Sequence, residues 1–225
     1  MTRVKICGIT DERDAALCAA AGADALGFVV EYPLPVPWSI DRTTAAALMR
    51  SLPPFVTRVA VVGGDAATVL ELVEATAPDV VQLHLDESEA TVGAVRAGLE
   101  GTGTRIVKAI RISADPAESP PPAAEVIERA RRFLAAGADA ILLDSKTGRR
   151  PAGTGAAIER SLARAVAADL DAPLILAGGL TPENVTAAIL EVRPAAVDVI
   201  SSLEDASHRK RPERVDAFLA AARAA

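Results

Sequence analysis

The chain has 225 residues, half of them hydrophobic, and a net charge of −6 with both signs spread along it, which argues against a general nucleic-acid-binding surface. It has no charged-then-apolar leader and no apolar run of about 18 residues, so we expect a soluble, cytoplasmic protein with no membrane partner. Its two cysteines, Cys7 and Cys18, have neither the number nor the spacing of a disulfide framework or a metal site, which fits a reducing compartment.

Short β-branched runs alternate along the chain with longer runs of helical period. The strand candidates are residues 3–9, 24–30, 57–62, 79–85, 105–112, 139–145, 173–179 and 196–202, and the helix candidates are 11–21, 41–51, 65–76, 86–99, 123–136, 156–169, 181–191 and 212–224. Continuous apolar strands are typical of parallel strands buried on both faces. The pattern predicts an α/β fold, one (β/α)8 TIM barrel domain over residues 1–225, with an open doubly wound sheet as the alternative.

Some helix boundaries carry local signals. Thr181 and Pro182 have the residue types of an N-cap and a first helical position, and Asp41 can cap the helix after the second strand. The sequence AAGADA occurs at 20–25 and again at 135–140, where glycine ends a helix and Ala-Asp leads into the next strand. We predict the same helix-to-strand junction at both places.

Polar residues collect where the predicted strands end, at the face that carries the active site in barrels of this kind. They are Cys7 after strand 1, Gln82 and His84 in strand 4, Lys108 and Arg111 in strand 5, Asp144 and Ser145 in strand 6, and Asp198, Ser201 and Ser202 in and after strand 8. His84 either contacts a substrate or satisfies hydrogen bonds in the core. The basic run 208–214 is interpreted as a solvated approach to the last helix.

Three segments at consecutive strand ends favour a phosphate ligand. Gly153 and Gly155 follow strand 6, Gly178 and Gly179 follow strand 7, and Ser201 and Ser202 follow strand 8. Glycines let backbone N–H groups approach an anion closely, and the loops after strands 7 and 8 are the usual phosphate site of this fold. The alternative is that these glycines only form turns.

Cys7 and Asp144 form a candidate acid–base pair across the barrel mouth. A thiolate can act as a base if a cation such as Lys5 or Arg111 lowers its pKa. A carboxylic acid can donate a proton if an apolar site raises its pKa. The alternatives are a small buried hydrophobic side chain for Cys7 and a cap for Asp144.

The sequence resembles the phosphoribosylanthranilate isomerase family over essentially its whole length. The resemblance rests on KICGIT (5–10), GADALGFVV (22–30), VQLH (81–84), ADAILLDS (138–145), GTG (153–155), PLILAGGLTPENV (173–185) and VDVISSLED (197–205), in the family's order and spacing. The first of these motifs and the LAGGL-x-P-x-N block are the most specific.

The resemblance implies an Amadori rearrangement of N-(5-phosphoribosyl)anthranilate in tryptophan biosynthesis, without metal or cofactor. It implies that Asp144 is the general acid that opens the sugar ring and that Cys7 is the general base at C2. The sugar-phosphate substrate is then expected to contact Lys5, Trp38, Gln82, His84, Arg111 and Asp198, and its phosphate the glycines and serines named above. Members of the family occur as monomers and as homodimers.

Several positions depart from the family's pattern. The family usually has Ser-x-Arg in the loop after strand 2, and here Pro37 or Trp38 takes the arginine's place, with Arg42 nearby at a helix start. Tyr32 and Trp38 either stack on a ligand or anchor the loop. Leu85 replaces a glycine, and the last phosphate loop reads Ile-Ser-Ser at 200–202. Two alternatives therefore stay open: the same chemistry on another phosphorylated N-glycoside, and a catalytically silent barrel that binds phosphate.

Overall fold

The computed structural model describes residues 1–115, 118–146 and 158–225. Within these ranges eight parallel strands close into a barrel, and a ninth, two-residue strand pairs with the end of the second. The strands are β1 (Arg3–Ile6), β2 (Ala25–Val30), β3 (Ser39–Ile40), β4 (Thr57–Val62), β5 (Val80–Leu83), β6 (Arg105–Ser113), β7 (Ala140–Lys146), β8 (Leu174–Leu176) and β9 (Ala196–Val199). The barrel closes because β1 pairs with both β2 and β9, which confirms the predicted (β/α)8 architecture.

Helices surround the barrel in the described part of the chain. They are α1 (Glu12–Ala21), α2 (Arg42–Ser51), α3 (Ala66–Thr76), α4 (Glu89–Gly98), α5 (Ala123–Ala135), α6 (Arg160–Asp169), α7 (Val185–Val192) and α8 (Pro212–Arg223), with a 3₁₀ turn at Ser201–Leu203. The main hydrophobic core lies between helices and strands and contains Ile6, Leu26 and Phe28, none of them exposed. No helix in these ranges has the length and hydropathy needed to span a membrane.

The two-residue period of a strand decides which side chains reach the barrel interior. Ile6 faces the helices, whereas Lys5 and Cys7, one position before and after it, face inward. One interior layer is apolar and contains Val107, Ala109, Ala140, Leu142 and Ala177. Polar side chains of the same strands lie nearer the carboxyl ends.

Three aspartates fix the opposite end of the barrel. Asp24, Asp79 and Asp139 each precede a strand, and each carboxylate accepts the backbone N–H of the second residue of the preceding barrel strand at 2.7–2.8 Å. The backbone N–H of each aspartate donates to the carbonyl of that same residue. Gly22 (φ 95°) and Gly137 (φ 111°) end the helices before two of these junctions, which confirms the junction predicted from the AAGADA repeat.

Two further helix starts can be compared with their predicted signals. Asp41 caps α2 as expected, its side chain accepting the Thr44 N–H. The regular helix α7 begins at Val185, four residues after the predicted N-cap. Thr181 still caps the turn that leads into it, because its Oγ1 accepts the Glu183 N–H at 3.3 Å and its carbonyl accepts the Val185 N–H at 3.0 Å. Asn184 Oδ1 accepts the Thr181 N–H at 2.9 Å, so residues 181–184 form a turn that precedes the helix. The short strand β3 was not predicted.

Candidate active site

A cavity of about 230 Å³ opens at the carboxyl ends of the strands. Most of the residues predicted for the site line it: Cys7, Trp38, Gln82, His84, Asp144, Gly178, Gly179, Asp198, Ser201 and Ser202. Lys5 lies behind Cys7, whereas Arg111 is not among the lining residues. Gly153 and Gly155 lie outside the described residues. The thiol and the carboxylate therefore face one shared cavity.

Cys7 lies just past β1 and next to a buried ion pair. Lys5 Nζ is 2.7 Å from Asp198 Oδ2, and both side chains are buried. These two residues are direct register partners on β1 and β9, so the sheet itself sets their contact. Asp198 Oδ1 is buried and has no hydrogen-bond partner among the described residues.

Gly27 on β2 makes room for this group, and its role was missed by the sequence analysis. A Cβ at position 27 would lie 2.5 Å from Cys7 Sγ and 2.9 Å from Lys5 Cε. A glycine inside an apolar strand often marks a close approach of this kind, which was the available signal.

Burial and the neighbouring charges shift the pKa values of Cys7, Asp198 and Lys5 in opposite directions. Burial raises the pKa of the Cys7 thiol, and the nearby Lys5 ammonium lowers it only in part, so the net pKa is raised. Burial likewise raises the pKa of Asp198 despite Lys5. Burial lowers the pKa of Lys5, but Asp198 and Cys7 outweigh it and raise the pKa overall. The lysine is therefore a fixed cation beside the thiol.

Asp144 on β7 is held by two contacts. Its Oδ1 accepts the Ser145 N–H at 2.8 Å, and its Oδ2 lies 3.3 Å from His84 Nε2. The Tyr32 hydroxyl donates to the His84 carbonyl at 3.0 Å, and burial raises the pKa of this hydroxyl, which keeps it a donor. The carboxyl group and the imidazole therefore lie side by side at the edge of the cavity.

Glycine and serine residues form the side of the cavity after β8 and β9. Gly178 (φ 85°) and Gly179 (φ 63°) have left-handed backbones, and a Cβ at Gly178 would lie 2.7 Å from Ser145 Oγ. Asn184 fixes the loop, because its Nδ2 donates to the Gly179 carbonyl at 2.9 Å. Ser202 Oγ donates to the Leu180 carbonyl at 2.6 Å.

A second side of the cavity, formed by β2, the loop after it and β4, is apolar. Val29, Tyr32, Val36, Trp38 and Val61 line it. The Trp38 indole is 5% exposed, and its Nε1–H donates to the Glu204 carboxylate. Glu204 was not singled out as a site residue, although it lies within the VDVISSLED motif, because its contact with Trp38 joins segments far apart in the chain.

The arginines near the site have carboxylate partners. Arg42 forms a two-pronged ion pair with Glu31, at 2.9 and 2.8 Å, on the outside of α2. Arg111 Nη2 lies 2.8 Å from Asp86 Oδ2. Among the described residues that line the cavity, none is an arginine.

Leu85 occupies space that a glycine leaves free. A Cβ at Gly63, after β4, would lie 2.4 Å from Leu85 Cδ1. The Leu85 carbonyl also accepts a hydrogen bond from Lys108 Nζ at 2.7 Å. This fully buried lysine forms an ion pair with Glu87 at 2.8 Å. The loop beside His84 is therefore held from behind by β6.

Comparisons with known proteins agree in one family. The model of a family described as N-(5'phosphoribosyl)anthranilate (PRA) isomerase matches residues 4–221. The N-(5'-phosphoribosyl)anthranilate isomerase of Haloferax volcanii is 39% identical over 227 residues, covering 100% of this chain and 95% of that protein.

Solved structures agree with the sequence comparison. The phosphoribosyl anthranilate isomerase of Thermus thermophilus is similar with a TM-score of 0.80 and 37% identity, covering 99% of each chain. A second isomerase structure, in complex with reduced 1-(o-carboxyphenylamino)-1-deoxyribulose 5-phosphate, is similar with a TM-score of 0.79 and 30% identity, covering 100% of each chain.

Proposed function

The chain belongs to the N-(5'-phosphoribosyl)anthranilate isomerase family, and we propose that it catalyses this isomerisation in tryptophan biosynthesis. The substrate, N-(5-phosphoribosyl)anthranilate, becomes the 1-deoxyribulose 5-phosphate aminoketose. The observation that carries the mechanism is that Cys7 and Asp144 line one cavity beside a glycine- and serine-rich wall. The related structure in complex with reduced 1-(o-carboxyphenylamino)-1-deoxyribulose 5-phosphate supports a sugar-phosphate ligand.

Asp144 acts first, as the general acid. It gives a proton to the ring oxygen of the sugar, the bond from that oxygen to C1 breaks, and the substrate nitrogen supplies the electron pair that forms the iminium ion. The His84 imidazole, with Nε2 3.3 Å from Asp144 Oδ2, is positioned to orient this carboxyl group.

Cys7 then acts as the general base. Its thiolate takes the proton from C2, and the C2–H electrons form the enolamine as the iminium nitrogen recovers its lone pair. The Lys5 ammonium stabilises the thiolate in an otherwise apolar surrounding. In the final tautomerisation C1 gains the proton that Cys7 holds, and the C2 hydroxyl gives its proton to Asp144. Both side chains are thereby returned to their starting forms.

The phosphate belongs at the glycine and serine wall after β8 and β9. Gly178 and Gly179 have backbone conformations that can turn N–H groups toward an anion, and Ser201 and Ser202 line the same wall. Gly153, Gly155 and Arg111 remain predicted substrate contacts. Location in the cytoplasm and a monomeric or homodimeric state also remain predictions.

Two variants test the mechanism. Purified protein is mixed with phosphoribosylanthranilate and no additives, and loss of substrate fluorescence is followed. We expect Cys7→Ser and Asp144→Asn each to lower kcat by at least about a hundredfold, the lower end of general acid–base contributions. Ordinary turnover in both variants would contradict the assigned roles.

Rescue of a tryptophan auxotroph tests the substrate. Growth supports the proposed reaction. Failure to grow, with a Cys7-dependent isomerisation of another phosphorylated N-glycoside, would instead support that alternative. Stabilisation by phosphate without proton exchange at any substrate carbon would support a silent barrel.

A further inference from the structure

Trp38 joins two distant segments at the barrel mouth through a buried hydrogen bond. Its Nε1–H donates to Glu204 Oε1 at 2.9 Å and to Oε2 at 3.1 Å. Trp38 lies in the loop between β2 and β3, and Glu204 follows the 3₁₀ turn after β9. The Glu204 side chain is 3% exposed and forms an ion pair with the fully buried Lys210 ammonium. This arrangement keeps a charged acceptor in place behind the indole.

The indole also lies directly against the reactive end of β1. A Cβ at Gly8 would be 2.8 Å from Trp38 Cδ1 and 3.0 Å from Ile200 Cγ2. Gly8 has φ 75°, a conformation that favours glycine. Trp38 belongs to the hydrophobic cluster that contains Cys7 and Val29. The ring therefore closes the cavity next to the thiol.

The cavity has two chemically different sides. Glycines and serines after β8 and β9 form one side, and the valines and Tyr32 of β2, β4 and the loop after β2 form another. Trp38 lies where that loop meets the segment after β9, beside Ile200 and Glu204. A substrate that places its phosphate on the first side directs its aryl group to the second, because apolar surface favours apolar surface. Flat aromatic faces also stack favourably.

We propose that Trp38 is the wall that contacts the aryl group of the substrate and that Glu204 is a positioning residue that holds this wall. The inference rests on the proposed function. A buried indole N–H needs an acceptor, and a buried carboxylate needs a cation, so Lys210, Glu204 and Trp38 act as a chain of dependent contacts. The aryl group is thereby recognised by an aromatic and aliphatic surface.

A matched pair of double variants tests the positioning role. Glu204→Gln/Lys210→Met and Glu204→Leu/Lys210→Met both remove the buried charges, but only the first keeps an acceptor for the indole. We expect KM of the Gln variant to stay within about twofold of the unaltered protein and KM of the Leu variant to rise about tenfold, with kcat unchanged in both, as expected for lost uniform binding. Glu213→Gln, at an exposed ion pair of the same segment, is the control and changes neither value.

Trp38→Phe shows whether the effect runs through the indole. This variant leaves the Glu204–Lys210 pair intact, raises KM by itself, and removes the difference between the two double variants. Equal KM values for the Gln and Leu variants in the presence of Trp38 would overturn the positioning role. If neither double variant folds, Trp38→Ala decides, because it removes the aromatic surface: an unchanged KM overturns the proposed wall.

Fluorescence gives a readout that needs no variant, because Trp38 is the chain's single tryptophan. Titration with reduced 1-(o-carboxyphenylamino)-1-deoxyribulose 5-phosphate is expected to change its emission with saturation. Unchanged emission at saturating ligand, in a protein that turns over phosphoribosylanthranilate, would overturn the aryl wall while leaving the proposed function in place. Absence of turnover would overturn the proposed function itself.

Discussion

Gly27 sets how closely the Cys7 thiol and the Lys5 ammonium can approach each other. We predict that Gly27→Ala lowers kcat at least about tenfold and destabilises the fold by about 1–3 kcal/mol, because its Cβ would overlap Cys7 Sγ. Steady-state kinetics and urea unfolding measure the two effects. Gly93→Ala is the control: it lies inside α4, its Cβ would meet nothing closer than the Ala136 carbonyl at 3.7 Å, and it adds up to about 1 kcal/mol of stability.

The raised pKa of Cys7 predicts the direction of the pH profile. A general base works deprotonated, so kcat is expected to rise with pH through the thiol's pKa, which burial places above the ordinary cysteine value. Replacing the buried ion pair by Lys5→Met/Asp198→Asn removes the neighbouring cation and moves the profile to higher pH. The measurement is kcat against pH for both proteins.

Cys18→Ala separates the two cysteines. Burial raises the pKa of Cys18 to about 12, and this residue lies in α1, away from the cavity lining. Its replacement should leave the kcat profile unmoved. If the kcat profile shifted in Cys18→Ala and not in Lys5→Met/Asp198→Asn, the titrating group would be Cys18 and not Cys7.

At the scale of single residues, the sequence identified side chains at strand ends and missed those that act by close packing. Cys7 and Asp144 were found because parallel strands deliver their ends to one face. The contact between Gly63 and Leu85 was not predicted. Gly63 has no Cβ, and this leaves the space that the Leu85 side chain fills. Such pairs depend on barrel geometry, which no local pattern encodes.

Among the elements, the aspartates before β2, β5 and β7 form a repeated structural motif. We predict that Asp24→Ala lowers the free energy of unfolding by about 1–2 kcal/mol, because the Val4 N–H loses a charged acceptor. Activity is retained, since the junction lies at the end of the barrel opposite the cavity. Chemical denaturation and kcat are the measurements.

Two comparisons sharpen this prediction. Asp24→Asn keeps an acceptor oxygen and should cost less than Asp24→Ala. Asp216→Ala, on an exposed face of α8, should not lower stability. Equal stability of the alanine and asparagine variants at position 24 would show that the lost hydrogen bond does not cause the destabilisation.

Element types were predictable because strand and helix periods differ, whereas some ends were not. The regular part of α7 starts later than predicted, because residues 181–184 form a separate turn held by the side chains of Thr181 and Asn184. The strand β3 depends on Val29 and Val30 as partners, which the two residues Ser39 and Ile40 do not reveal.

For the whole molecule, closure of the barrel predicts a single cooperative transition. The predicted single domain should unfold in urea with coincident curves for Trp38 fluorescence, which reports the barrel mouth, and far-UV circular dichroism, which reports the helices. The reduced product analogue should shift both curves together to higher urea. Two separated transitions would contradict the single domain.

The contact between Lys5 and Asp198 joins the first barrel strand to the last. During synthesis on the ribosome, Lys5 is made early, but its carboxylate partner is added only after nearly two hundred further residues. A nascent chain stalled before the last strand therefore has the Cys7 thiol and Lys5 but still lacks Asp198, the partner of Lys5. The proposed site around Cys7 is therefore completed only when the final strand docks beside the first.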